Sequence, residues 1–177
     1  PTPVLVAIGG LSGSGKSTIA SSLAPLVGAI PGARILSSDR LRKARFGVEA
    51  EQRLPPEAYR PEVSRAVYAA MREGAAAVLA AGCAVIVDAV HARPDERQAI
   101  EEVARASGVP FQGIWLDVPA DRLMARVEAR RGDPSDATVE TVAAQLGYDL
   151  GAIDWHRFDA ARSQGELAAE IAALAQA

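Results

Sequence analysis

The chain has 177 residues, 49% hydrophobic and 23% charged, with a formal net charge of −3. That suits one globular domain with a good core, and the acidic balance argues against a broad nucleic-acid footprint, which needs a basic face. Cys83 is the only cysteine and His91 and His156 lie far apart, which excludes an internal disulfide, a thiolate metal cluster and a zinc site.

A single cysteine fits a reducing cytoplasm. The most apolar long stretch, residues 74–87, is shorter than a bilayer needs, so no membrane partner is expected. The chain begins at Pro1 without a methionine, as a processed protein or a domain cut from a longer chain would.

Residues 4–8 form a short β-branched apolar run, as a buried parallel strand should. The run passes directly into a glycine-rich loop, so it reads as a strand and not as a leader. Residues 9–18 read G-G-L-S-G-S-G-K-S-T, and Gly10, Gly15, Lys16 and Ser17 fit the phosphate-loop pattern G-x-x-x-x-G-K-S/T. A helix is expected over 17–27, with Ile19, Leu23, Leu26 and Val27 on one face. Strand, glycine-rich loop, helix is the context this motif requires. Glycines let successive backbone N–H groups turn inward, and the helix N-terminus adds partial positive charge at the same place. Lys16 supplies a mobile charge for the β- and γ-phosphates, and Ser17 offers a hydroxyl to Mg²⁺. A nucleoside triphosphate is therefore expected on Gly10, Ser12, Gly13, Ser14, Gly15, Lys16, Ser17 and Thr18.

Residues 34–38 read as a short second strand ending at Asp39. Residues 39–45 are polar and basic, and residues 47–56 read as an acidic surface loop over a cleft. A long helix over 61–81 opens at Pro61, with Val63, Val67, Ala70, Met71, Val78 and Leu79 roughly along one face. Residues 84–87 are the most strand-like run and end in Asp88. Pro94 opens a helix to about 107, stopped by Gly108 and Pro110. A strand over 111–118, a helix over 119–131, a break at 132–136 and a helix over 138–146 capped by Thr138 follow. A short strand at 155–158 and a helix over 166–175 complete the chain. Trp115 and Cys83 read as core residues. Strands alternate with helices throughout, which predicts a three-layer α/β/α sandwich with a mostly parallel, about five-stranded sheet, in one domain over 1–177.

In an open α/β sheet, ligands bind at the carboxyl ends of strands. Three such ends carry polar residues here: the phosphate loop, Asp39 and Asp88. Asp39 fits either a carboxylate that positions an attacking hydroxyl or a helix N-cap. Arg42 lies three residues on and can share its helical face, although Arg40, Arg42, Lys43 and Arg45 also fit a solvated basic turn. Asp88 fits a carboxylate that orders water on Mg²⁺, a substrate-facing group, or a structural partner for an arginine. His91, Arg93 and Arg97 follow, and a lone His91 is more often structural than catalytic. Tyr59 and Arg60 near the cleft loop fit either packing or substrate contact.

The combination G-x-S-G-S-G-K-S-T, S-S-D-x-x-R, V-I-V-D and an arginine-bearing segment at 118–131 resembles the small P-loop phosphotransferases. These include polynucleotide 5′-kinases, zeta-type toxins, chloramphenicol phosphotransferases, gluconate kinases and relatives of adenylate kinase. Within that group the chain is most similar to bacterial AAA-type kinases sometimes fused to an aminoglycoside-phosphotransferase-like domain. The resemblance covers residues 4–146 and implies a P-loop, nucleotide-kinase-like fold with ATP and Mg²⁺. It implies that Asp39 is the general base, and that Lys16 and Arg130 neutralise the transferring group. Arg42 would hold an anionic group of the acceptor, and the segment bearing Asp88, His91 and Arg97 would line the acceptor pocket. Residues 118–131 are similar to the entry into an adenylate-kinase lid, so a short helical lid is expected over about 120–147. In that register Arg126 lies against the adenine and Arg130 and Arg131 reach the phosphates. The same segment also fits a solvent-exposed charged helix in which Glu128 offers a partner. Residues 132–136 contain no Cys or His, so the lid should bear no zinc.

These readings predict transfer of the ATP γ-phosphate to a hydroxyl. A small-molecule acceptor suits the acidic charge and small size, a polynucleotide 5′-end suits the D-x-x-R motif, and a nucleotide sugar is a further alternative on this scaffold. A nucleotide-driven switch without its own acceptor is the reading from another class. The chain contains no asparagine, so the N-K-x-D motif of a GTPase switch is absent.

Overall fold

The computed structural model describes residues 2–129 and 137–177. In chain order the elements are β1 (Leu5–Gly9), α1 (Lys16–Leu23), β2 (Arg34–Ser37), α2 (Ser38–Arg45), α3 (Pro61–Ala80), β3 (Val85–Asp88), α4 (Pro94–Ala106), β4 (Phe111–Asp117), α5 (Ala120–Ala129), α6 (Val139–Leu146), β5 (His156–Asp159) and α7 (Gln164–Gln176). The five strands form one all-parallel sheet in the order β2-β3-β1-β4-β5.

Every residue of β1 is buried, because the sheet is covered on both faces. Successive strand side chains point to opposite faces. Val4, Val6 and Ile8 pack with Ile19 and Leu23 of α1 and with Leu167 and Ile171 of α7. Leu5 and Ala7 pack with Met71, Ala75 and Leu79 of α3, Ile100 of α4, and both tryptophans. Two helical layers therefore clamp the sheet, giving the expected three-layer sandwich.

Local chemistry sets the element ends. Pro25 interrupts the α-helical ladder, so α1 stops at Leu23 and a 3-10 turn runs over Ala24–Leu26. Thr138 caps α6 by accepting a hydrogen bond from the Thr141 N–H at 3.2 Å. Along α3 the fully buried stripe is Val67, Met71, Ala75 and Leu79, one residue per turn. Val63, Ala70 and Val78 are only half-buried, and Ala75 joins the stripe because a small side chain fits close to the sheet. Cys83 is exposed, a correction to its expected place in the core: Gly82 turns the chain and burial begins one residue later, at Ala84. Among the described residues no helix is long and apolar enough to cross a membrane.

Candidate active site

Strand register assembles the site. Ile8 of β1 stands opposite Asp88 of β3, and Ser37 of β2 stands opposite the same Asp88. Three neighbouring strand ends thus bring residues 10–17, 38–39 and 88–90 together at one edge of the sheet. A cavity of about 50 Å³ there is lined by Ser12, Gly13, Gly15, Lys16, Ser17, Ser38, Asp39, Asp88 and Val90. Ser12, Ser38, Asp39 and Val90 also line a larger cleft of about 700 Å³, so the two spaces meet at these residues.

The loop holds Gly13 at φ 89° and Gly15 at φ 92°, a region that side chains strain to occupy. Ser14 is buried within the loop, and Thr18 is exposed in the first turn of α1. The Gly10 N–H donates to the Val90 carbonyl at 3.1 Å, tying the start of the loop to the segment after β3. Lys16 Nζ donates to the Leu11 carbonyl at 3.3 Å, which folds the ammonium back over the loop.

Ser17 Oγ donates to Asp88 Oδ2 at 2.8 Å. Burial pushes the Asp88 carboxyl above its ordinary range and the charge of Asp39 adds to this, while Lys16 and the Ser17 hydrogen bond oppose it. A hydroxyl and a buried carboxylate beside a lysine-bearing loop are the hard oxygen donors that Mg²⁺ takes. Among the described residues no group of three or more His, Cys, Asp or Glu is placed to hold a metal alone. The donor set therefore fits a cation that shares its coordination with phosphate and water.

Asp39 is the second residue of α2, and Ser37 stands at the N-cap, so the capping explanation for this carboxylate falls away. Asp39 lies half-buried where the two spaces meet. Arg42 also lines the cleft but is buried, with Nη1 donating to the Ala58 carbonyl at 2.6 Å and to Ser64 Oγ at 3.2 Å. Its guanidinium sits 5.1 Å from the Tyr59 ring centroid, and its Nε is buried without a hydrogen-bond partner. Lys43 is buried too, and its Nζ donates to the Ala50 carbonyl at 2.6 Å. The solvated basic turn is thus corrected for these two residues: each is buried and donates to a backbone carbonyl further along the chain.

His91 and Arg97 lie under the cleft and do not line it. The buried His91 ring packs edge-on to Tyr68 and Trp155, its Nδ1 lies 3.2 Å from the Ala89 carbonyl, and the His91 backbone N–H donates to the Tyr68 hydroxyl at 3.1 Å. Arg97 Nη1 donates to the carbonyls of His91 and Ala92 at 2.8 and 2.9 Å, and Nη2 donates to those of Leu150 and Ala152. Their expected place in the lining is therefore corrected. Both support the lining from below, because their polar groups are committed to backbone.

Arg126 of α5 donates from Nη1 to the Gly13 carbonyl at 3.3 Å and from Nη2 to the Ala160 carbonyl at 3.2 Å. The expected phosphate contacts of Arg130 and Arg131, and the break at 132–136, lie outside the described residues. Two features escaped the sequence reading. Tyr68 and Tyr148 line the cleft beside Tyr59, the one tyrosine of the chain already expected near it. Gln145 of α6 reaches the phosphate loop, where Oε1 accepts the Ser12 N–H at 2.8 Å and Nε2 donates to Ser12 Oγ at 2.9 Å. Its spacing from Val142 on a mostly apolar helix was the only hint in the sequence.

Comparison with known proteins gives the family and the fold. A family model described as an AAA domain matches residues 5–148. The uncharacterized proteins Rv2004c of Mycobacterium tuberculosis and Mb2027c of Mycobacterium bovis are each 34% identical over 169 residues, covering 89% of this chain and 32% of theirs. The chain thus spans about a third of the length of the curated relatives it matches. The Mycobacterium tuberculosis APS kinase CysC, in complex with AMPPNP and APS, superposes with a TM-score of 0.73 at 20% identity, over 100% of this chain and 99% of that one. A gluconokinase from Sinorhizobium meliloti superposes with a TM-score of 0.64 at 23% identity, over 99% of this chain and 95% of that one. At these identities the likeness is one of fold.

Proposed function

This chain belongs to the AAA-domain family, and we propose that it works there as an ATP-dependent phosphotransferase, moving the γ-phosphate of ATP to a hydroxyl of a small-molecule acceptor. The observation that carries this reading is the junction of the phosphate-loop cavity with the larger cleft at Ser12, Ser38, Asp39 and Val90. A nucleotide switch needs the first space alone, whereas phosphoryl transfer needs a second site in line with the first. The cleft volume of about 700 Å³ is of the size that small-molecule sites have.

The roles proposed are those the resemblance implies, supported by position where the residues are described. The loop residues 10–18 cradle the phosphates, and Lys16 unfolds from the Leu11 carbonyl toward them. Ser17 and Asp88 are the side chains that would hold Mg²⁺, which supplies charge neutralisation between the β- and γ-phosphates when bound. Asp39 accepts the proton of the acceptor hydroxyl and fixes its oxygen toward the phosphorus. Arg42 gives the acceptor cleft a buried positive charge, and Asp88, which lines the phosphate-loop cavity and not the cleft, stands on the metal side. By the resemblance, Arg126 and Arg130 would complete the donor side from a lid over about 120–147, Arg126 toward the adenine and Arg130, outside the described residues, toward the transferring group.

A small molecule is favoured over a polynucleotide 5′-end because three tyrosines and the acids Asp39 and Glu96 share the cleft with Arg42, Arg65 and Arg93. That mixture suits a compact polar ligand with a ring face better than a phosphate backbone. The length of the relatives supports a setting in which this unit is part of a longer chain. The single cysteine supports a cytoplasmic one.

The test is transfer of labelled γ-phosphate, with Mg²⁺ and with chelator, to a panel of sugars, sugar acids, nucleosides and aminoglycosides and to a 5′-hydroxyl oligonucleotide. A labelled small-molecule product is expected. Lys16→Ala should abolish it, and Asp39→Ala should lower kcat by about 10²–10⁴-fold. Labelled oligonucleotide would move the reading to a polynucleotide kinase. Free phosphate alone, stimulated by a protein partner, would replace it with a switch.

A further inference from the structure

Gln145 stands apart from the roles assigned above. A buried amide satisfies itself wherever partners are nearest, most often in its own helix or in water. Here both amide atoms go to one residue 133 positions away, and they take both the backbone N–H and the hydroxyl of Ser12. Ser12 lines both the phosphate-loop cavity and the larger cleft. Gln145 lines that cleft with Thr141 and Tyr148, four residues before it and three after.

The contact belongs to a wider grip. Leu11 of the loop packs on the apolar cluster of Leu123, Val127 and Val142, which joins α5 to α6. Arg126 holds the Gly13 carbonyl from α5, and a Cβ on Gly13 would stand 3.1 Å from both the Leu123 carbonyl and Val127 Cγ2. The loop is rich in glycine and free to change shape, so its N–H groups converge on phosphate only while neighbours hold them. The paired helices supply that hold, and Gln145 is its polar contact on the acceptor side.

We propose that Gln145 is a positioning residue that sets Ser12 at the γ-phosphate side of the loop and links the acceptor cleft to the donor site. The inference rests on the kinase reading for the identity of the phosphate. An acceptor lying against Thr141 and Tyr148 shares its wall with the amide that holds the loop, so filling the cleft steadies the donor site. The amide also excludes negative charge from the end of the loop where the γ-phosphate lies.

The experiment compares wild type, Gln145→Ala and Gln145→Glu by amide hydrogen exchange at Ser12 and by calorimetric binding of Mg²⁺·ATP and Mg²⁺·ADP. Gln145→Ala is expected to speed exchange at Ser12 at least tenfold while the melting temperature stays close to wild type. Gln145→Glu keeps an acceptor for the Ser12 N–H and the size of the side chain, so its exchange should stay slow. Its added charge should weaken ATP at least fivefold more than ADP. Unchanged exchange in Gln145→Ala, or equal losses of ATP and ADP in Gln145→Glu, overturns the inference. Wild type that binds neither nucleotide overturns the kinase reading, and exchange at Ser12 still reports whether the contact holds the loop.

Discussion

Asp88 and His91 stand three residues apart, and burial acts on them in opposite directions. It lifts the Asp88 carboxyl and pushes the His91 imidazole down from 6.5 to about 4, in each case by disfavouring the charged form. For His91, hydrogen bonds to the Ala89 and Ile8 carbonyls oppose the shift, and the positive charges of Lys16 and Arg97 reinforce it. The folded state therefore keeps His91 neutral where the unfolded chain protonates it. Its contribution is fully present above pH 6.5 and is lost as pH falls from there toward about 4. That loss should reach about 2 kcal/mol by pH 5. Urea unfolding at pH 7 and pH 5 measures it, and His91→Gln should flatten the dependence. An equally steep fall in His91→Gln would place the titrating group elsewhere. At this scale Lys16, Ser17, Asp39 and Asp88 were legible, because each sits at a fixed offset in a motif or at a strand end. His91 and Arg97 were not, since a polar residue in a loop looks the same in sequence whether it faces a ligand or a backbone carbonyl.

Elements were legible wherever periodicity or a breaker marked them. Pro61, Pro94 and Thr138 open helices as their chemistry dictates, while α1 ends early at the proline the periodic reading ran through. What periodicity omits is the space between elements. Gly113 of β4 lies opposite Ala7 of β1, and a Cβ there would stand 2.4 Å from the Trp155 indole. Trp155 cannot retreat freely, because its Nε1 donates to Glu101 Oε1 at 2.7 Å and its ring packs on His91 and Phe111. Gly113→Ala should therefore cost about 2 kcal/mol through overpacking, read by urea denaturation. A loss under about 0.5 kcal/mol, the scale of a neutral surface change, would show that the indole has room to move.

For the molecule as a whole, Arg97 joins distant parts of the chain. Its guanidinium bonds the turn after β3 to the carbonyls of Leu150 and Ala152, in the segment between α6 and β5. The same guanidinium lies 5.9 Å from the Trp115 ring centroid. Arg97→Ala leaves buried carbonyls without donors and should destabilise by about 3 kcal/mol. Because the residue lies beneath the cleft, Mg²⁺·ATP affinity at a temperature where the variant is folded should stay within threefold of wild type. A selective loss of acceptor turnover with unchanged stability would return Arg97 to the substrate site.

The phosphate loop, the alternation of strands and helices, and the acidic strand ends are all written in the amino-acid order. These rest on spacings within a turn or two of chain, where local geometry leaves little choice. Folding was needed to show that Asp88 stands beside Ser17, that Gln145 bonds Ser12, and that three scattered tyrosines share one cleft. Those contacts depend on strand order and register, which many non-local hydrogen bonds and two buried faces fix together.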